Sequence, residues 1–208
     1  MRIAVLGASG KVGRLLVGQA LERGHEVVAL VRKPEQFALP SAAAPERLEI
    51  RRADVMAPGD LPALGDVEAA VSAIGISKGD GPGALEAGAR LLAAGDFRTV
   101  WLGALGTGVS ANAGGRIYQA IMKMVVGKEM AERVEADTIV LQAGGTVFHA
   151  PDLRVGGIAP QRRVLPLAEF KRPLLPPHVS RATLVELILD EAEGKNGGHG
   201  GEIVVPLG

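Results

Sequence analysis

The sequence predicts an α/β fold: a three-layer, doubly wound parallel sheet with helices on both faces. Two observations predict it. Short aliphatic runs alternate with stretches of helical spacing along the first two-thirds of the chain. The first such pair is joined by a glycine-rich turn, Gly7-Ala8-Ser9-Gly10-Lys11-Val12-Gly13. A chain of 208 residues suits one domain, 1–208, with a sizeable core. Aromatic residues make up only 3% of it, so Val, Leu, Ile and Ala must fill that core. Such side chains suit helices laid closely on buried parallel strands.

The elements follow in order. Residues 3–6 form a strand that ends on Gly7, and residues 11–23 a helix with Val12, Leu15, Leu16 and Ala20 at helical spacing. Gly24 stops that helix, and residues 27–31 form the second strand. A strand–helix–strand unit of this kind makes its two strands parallel. Residues 48–51 form a third strand ending near Asp54-Val55, and residues 60–64 a brief helical turn. Residues 68–74 form a fourth strand ending on Gly75, followed by a polar loop over 77–83. A helix over 84–94 has Pro82 near its start and Gly95 after it. The fifth strand spans 99–105, a glycine-rich loop 106–115, a long helical stretch 116–135 and the sixth strand 138–142. Proline and glycine are frequent from 144 to 177, which reads as a small irregular segment on the substrate side. Ser180 caps a last helix running to about 191, and residues 202–205 form the final strand.

Composition removes several classes of function. Twenty-three basic and 23 acidic side chains balance, and Arg51-Arg52, Arg162-Arg163 and Lys171-Arg172 are isolated pairs. A nucleic-acid partner would call for a basic stripe, so none is expected. With no cysteine, disulfides, thiolate catalysis and Cys-ligated zinc are excluded, and a cytoplasmic location is expected. No apolar run reaches membrane-spanning length, and the short run at residues 3–6 reads as a strand instead of a signal peptide. No membrane partner is expected. The four histidines lack ligand spacing, so no metal site is expected.

The glycine turn carries the chemistry. Gly7 lets the strand turn sharply, Gly10 lets backbone approach a pyrophosphate, and Gly13 lets the helix pack on the strand. Free amides at the helix start, at Lys11 and Val12, favour an anion there, and the Ser9 hydroxyl adds a hydrogen bond. No Lys-Ser or Lys-Thr follows at the spacing of a Walker A loop. An NAD site has a carboxylate at the end of the second strand. Here that end reads Leu30-Val31-Arg32-Lys33. Arg32 can fork onto a 2′-phosphate and Lys33 can add charge, so NADP(H) is expected in preference to NAD(H). At the third strand end, Asp54 either accepts from the adenine amino group or makes a local Asx turn, and Val55 packs on the ring. Ile74-Gly75 lets backbone face the cofactor ribose.

In order and content these motifs resemble the atypical short-chain dehydrogenase/reductase superfamily, and within it the NmrA-like, biliverdin reductase B/flavin reductase branch. The carrying residues are Gly7 to Gly13, Leu30-Val31-Arg32, Asp54-Val55, Ala73-Ile74-Gly75, Val100 to Gly106 and Val179-Ser180-Arg181. The resemblance implies a seven-stranded Rossmann core with NADP(H) across its strand ends. It also implies reduction of flavins, quinones or tetrapyrroles, although some relatives are redox sensors without turnover. The branch often carries Ser or Thr at the end of the fifth strand, where Gly103 and Ala104 stand here. It often carries Pro after the sixth strand, and Ala143-Gly144 follow the stretch read as that strand.

A catalytic acid or base is not evident. Typical short-chain dehydrogenases use Tyr-x-x-x-Lys, whereas the single tyrosine, Tyr118, is followed four residues on by Met122. Lys123, five residues on, points to another face, so Tyr118 reads as a packed or surface side chain. Lys128 and Glu132 read as a surface i,i+4 pair. His149 and His178 are candidate proton donors, although each also reads as an ordinary loop histidine. Without a proton-transfer pair, alcohol dehydrogenation is disfavoured. Hydride transfer to a planar acceptor needs little beyond stacking it on the nicotinamide. The sequence therefore points to an NADPH-dependent reductase, with a non-catalytic NADP(H)-sensing regulator as the alternative.

Overall fold

Side-chain alternation sets the sheet. In the computed structural model, which describes residues 1–38, 44–57, 59, 61–76, 82–195 and 197–208, β1 (Arg2–Leu6) turns Ile3 and Val5 to one face and Ala4 and Leu6 to the other. All four are buried, as a strand covered on both faces requires. The chain continues through α1 (Lys11–Glu22), β2 (Glu26–Val31), β3 (Leu48–Arg52), β4 (Ala69–Ser72), α2 (Ala84–Ala93) and β5 (Arg98–Ala104). After these come α3 (Arg116–Val126), α4 (Met130–Gln142), β6 (Thr146–Ala150), β7 (Asp152–Arg154), β8 (Arg163–Pro166), β9 (His178–Ser180), α5 (Arg181–Ala192) and β10 (Ile203–Leu207).

Among the described residues, eight strands form one sheet in the order β3-β2-β1-β4-β5-β6-β10-β8, and β7 pairs with β9 beside it. All the neighbours in the large sheet are parallel except β10 and β8. One core cluster joins α1 and α5 to one face, and a second joins α2 and α4 to the other. The three-layer doubly wound expectation therefore holds, with an antiparallel eighth strand at the edge beyond the seven that the resemblance implied.

Several boundaries differ from the sequence reading. Residues 138–142 are the last turns of α4, not a strand. Thr138, Ile139 and Val140 favour strands, but Ala136, Asp137 and Val140 form one buried helical stripe, and Thr138 Oγ1 donates to the Val134 carbonyl one turn back. Gly144, at φ +80°, then ends the helix. The sixth strand is β6, inside the stretch read as irregular, and Pro151 follows it directly. The proline expected after that strand is present once the strand is placed correctly. The helical stretch 116–135 is interrupted by a one-turn 3-10 helix at Gly127–Glu129. Residues 61–64 are not helical, while Asp60 and residues 77–81 of the polar loop lie outside the described residues.

The seam between α1 and α5 is held by charge. Arg23, just past α1, reaches Asp190 at 2.9 Å, Glu186 at 2.9 Å and Glu193 at 2.5 Å, and His25 Nε2 lies 3.0 Å from Glu193. Burial pushes the Glu193 carboxyl up, but its bonds with Lys195, His25 and Arg23 outweigh that and hold it at about 2, against an ordinary 4.5. A carboxyl depressed by folding contributes stability above its unfolded value, and that contribution fades as pH falls through the folded one. Replacing Glu193→Gln is expected to lower Tm near neutrality. The gap from the native protein should be widest above pH 4.5 and close toward pH 2, as calorimetric scans across that range would check.

Candidate functional site

Strand order opens a crevice. The chain builds β1, β2 and β3 outward and then returns to place β4 on the other side of β1, so the turns leaving β1 and β4 diverge. The C-terminal ends of these strands border a cavity of about 490 Å³. The first turn contributes Gly7, Ser9, Gly10, Lys11 and Val12 to its wall. Arg32 comes from the end of β2, Asp54 and Val55 from the end of β3, and Ile74 and Gly75 from the end of β4. Ala84, at the start of α2, also borders it.

Gly13 and Lys33 are the sequence-predicted site residues that do not line the cavity. Gly13 works beneath it: a Cβ there would stand 2.2 Å from the Gly7 carbonyl oxygen and 2.7 Å from the Ala8 Cα. Gly7, at φ +76°, is equally constrained, because a Cβ on it would lie 2.8 Å from the backbone of Ile74. These two contacts bring helix, turn and β4 together. Lys33 is exposed and precedes the 3-10 turn Pro34–Gln36.

The start of α1 is an uncapped helix start that lines the cavity. Helix starts leave their first amides without intrahelical acceptors. At α5 the Ser180 hydroxyl accepts from the Thr183 amide at 3.0 Å, and at α2 the Glu132 carboxylate accepts from the Leu85 amide at 2.7 Å. At α1 the cap residue is Gly10, with no side-chain cap. The amides of the first turn, at Lys11, Val12 and Gly13, are left for an external acceptor, and the helix dipole favours an anion there. This cradle fits a diphosphate. Glu132 is thus a helix cap instead of the expected surface partner of Lys128, since the 3-10 turn at Gly127–Glu129 breaks their i,i+4 relation.

Asp54 Oδ1 accepts from the Met56 amide at 3.0 Å, so the residue makes its Asx turn while still lining the cavity. Arg14 was not apparent from the sequence. Its Nε donates to the Ser9 carbonyl at 3.0 Å, another of its nitrogens donates to the Ala38 carbonyl, and its guanidinium lies 5.4 Å from the Phe37 ring centroid. It ties the glycine turn to the segment after β2. A lone arginine one turn into a helix gives no sequence signal of this.

Beyond β4 lie β5 and β6, where the chain places a second polar group. His149, on β6, is 1% exposed. Its Nδ1 lies 2.7 Å from Ser110 Oγ and its Nε2 2.9 Å from Asp137 Oδ2. Ser110 Oγ also accepts from the Gly106 amide at 2.9 Å and lies within bonding distance of the Thr107 carbonyl. The three side chains therefore clamp the loop after β5 to β6 and α4. A Cβ on Gly103 would stand 3.0 Å from both Asp137 Oδ1 and His149 Cδ2. Glycine in place of the hydroxyl residue common in the branch thus has a steric cause. Asp137 falls between the helix and the strand expected from sequence, and its place on α4 is what makes it a partner of His149.

Tyr118 is buried and packs against Gly106 and Gly114. Burial, with the nearby Asp152 charge, pushes its phenol up to about 12. Lys123 is exposed, and His178 lies exposed on the small β7–β9 sheet. None of Tyr118, His149 and His178 lines the cavity.

A doubly wound sheet with an open helix start at its switch point defines a dinucleotide-binding Rossmann protein. The chain belongs to the NAD(P)H-binding family, whose model matches residues 7–145. Solved structures agree in fold. A protein provisionally named an NADH-flavin reductase, from Streptococcus pneumoniae TIGR4, is 21% identical over 100% of this chain and 99% of its own, with a TM-score of 0.71. A short-chain dehydrogenase/reductase from Veillonella parvula DSM 2008, in complex with NADP, is 14% identical over 100% of this chain and 94% of its own, at 0.77. A protein provisionally named an NAD-dependent epimerase/dehydratase, from Bacillus halodurans, is 20% identical over 100% and 94%, at 0.70. No curated protein matches the chain significantly in sequence. The NAD(P)-binding Rossmann character that the resemblance implied is borne out.

Two substitutions test this geometry. Gly13→Ala drives a methyl into backbone on both sides, so about 2 kcal/mol of stability should be lost. Dinucleotide binding, measured by calorimetry, should weaken with it. His149→Ala strands Asp137 and Ser110 in the interior, and urea unfolding should register a loss of about 3 kcal/mol.

Proposed function

We propose that the chain is an NADPH-dependent reductase that passes hydride to a planar acceptor such as a flavin, quinone or tetrapyrrole. The observation that carries the reading is the chemistry along the cavity wall: an uncapped helix start on one strand end and a guanidinium, not a carboxylate, on the next. In this reading the amides of Lys11, Val12 and Gly13 hold the diphosphate, with Ser9 adding its hydroxyl. Arg32 forks onto the 2′-phosphate, and Lys33 adds charge from outside the cavity. Val55 packs on the adenine, and Asp54 accepts from its amino group with the oxygen not used by Met56. Ile74 and Gly75 leave room for the ribose beside β4.

When bound, the nicotinamide supplies the hydride. The chain supplies position: in this reading the acceptor stacks on the β5–β6 side of β4, where the loop clamped through Ser110 is held in place. Tyr118, with a phenol near 12, is a poor acid at neutral pH. The proton that completes reduction of the acceptor comes from water, which suits flavins and quinones better than alcohols.

Purified protein should oxidise NADPH with flavin mononucleotide or dichlorophenolindophenol as acceptor. Tight NADPH binding without turnover would instead favour a regulator that senses NADP(H). Replacing Arg32→Ala should raise Kd for NADPH about tenfold or more and leave NADH nearly unchanged. An unchanged preference between the two would remove the NADP(H) assignment.

A further inference from the structure

Helix α3 is apolar on two sides. Tyr118 and Met122 are buried toward the protein. On the outer side Ile117, Ile121, Met124 and Val125 follow at i, i+4, i+7 and i+8, with exposures of 73%, 48%, 87% and 69%. A water-facing helix normally carries polar residues there. The largest exposed apolar patch on an ordinary monomer is roughly 300–600 Å² and is often functional. Four such side chains on one helix face reach that scale by themselves.

A second segment joins this side of the molecule. Phe170 packs into the cluster of Tyr118 and Met122, and the Arg172 guanidinium lies against Gly115, at the start of α3. Leu174 and Leu175, which follow, are exposed.

The charge around these apolar residues has one sign. Arg116, Lys123 and Lys128 flank the helix face, and Lys171 and Arg172 precede the two leucines; all are exposed. The sequence has no acid between Asp96 and Glu129, and none between Glu169 and Glu186. Of the acids at the rim, Glu129 pairs with Arg133 and Asp152 with Arg154, leaving Glu169 exposed beside the patch. In a chain of zero net charge this is a local segregation.

We propose that the outer face of α3, together with the loop at 171–175, is a peripheral contact surface for an anionic lipid bilayer. Exposed apolar side chains ringed by lysine and arginine match the interfacial region of such a bilayer, where apolar groups enter between headgroups and cations meet phosphate. A second copy of this chain matches poorly. A two-fold contact sets identical patches against each other, so these cations would face themselves with little acid between them. A peptide in a groove matches poorly too, because a helix presents a convex face. No helix among the described residues is long and apolar enough to cross a membrane, so the contact is a surface one. The proposal departs from the expectation from sequence of no membrane partner.

Flotation of the full chain with vesicles tests the proposal. One set is phosphatidylcholine alone, the other an equal mixture of phosphatidylcholine and phosphatidylglycerol. The chain should float with the mixed vesicles only, and less so as salt rises. The double variant I117D/M124D should weaken partitioning by about tenfold or more, and Lys123→Gln by about fivefold. Both variants should keep the NADPH affinity of the native chain, which reads folding independently of the lipid. Absence of flotation, or equal flotation on both vesicles without salt dependence, overturns the proposal. So does sedimentation of the native chain as a dimer that I117D/M124D dissociates.

Discussion

At the start of α1 the backbone runs so close to the end of β1 that a Cβ on Gly13 would stand 2.2 Å from the Gly7 carbonyl oxygen. The consequences of that approach reach the whole cavity. It seats the start of α1 at the crevice between the turns of β1 and β4, where the cap residue is Gly10 and no side chain caps the helix. Gly7 in turn lies against the backbone of Ile74, so the end of β4 is held to the same turn. One steric constraint thus fixes the first amides of the helix, the wall opposite them and the gap between the two. The binding energy available there comes from donors that folding has left unsatisfied.

The other helix starts near the site are treated differently. Glu132 closes α2, and Ser180 closes α5. A helix whose first amides already have a strong internal acceptor is a weaker anion site; α3 also starts without a side-chain cap, but its first residues do not line the cavity, whereas those of α1 do. The clamp of Asp137, His149 and Ser110 plays a complementary part beyond β4. It holds a glycine-rich loop, which would otherwise have many accessible conformations, in one arrangement. Rigid backbone on one side and oriented donors on the other are what the proposed hydride transfer would require.

How much of this was legible in the sequence depends on the range of the interaction that decides each element. β1, α1 and β2 were read almost to the residue, because a glycine turn, a helical stripe and Gly24 are local signals. Ten of the twelve proposed site residues line one cavity for the same reason: each stands at a strand end that its own neighbours specify. Residues 138–142 were misread because β-branched side chains favour strands locally, while contact with α2 and the sheet favours the helix. That slip moved the sixth strand, hid Pro151 and concealed Asp137 as the partner of His149. The Glu132 cap was equally hidden, since it joins α4 to a helix 47 residues earlier.

Charge placement ties cofactor and surface together in a chain of zero net charge. Around the start of β1 and along β3, Arg2 and Arg51 are spent on Glu26, Glu49 and Asp66, and Arg51 holds the Asp66 carboxyl well below the usual carboxylate range. On the α1–α5 seam Arg23 faces three carboxylates. Acidic side chains are thus drawn into networks with arginine away from the switch point. At the opposite end, Lys11 and Arg32 stand at the cavity wall, and Lys123, Lys128 and Lys171 stand on the apolar side beyond it. A dinucleotide and an anionic surface present the same sign of charge, so a protein can be electrically neutral and still offer both a favourable approach. It is the sorting of ion pairs within the fold, more than the sum of charges, that leaves cations at the cavity wall and beside the apolar face of α3.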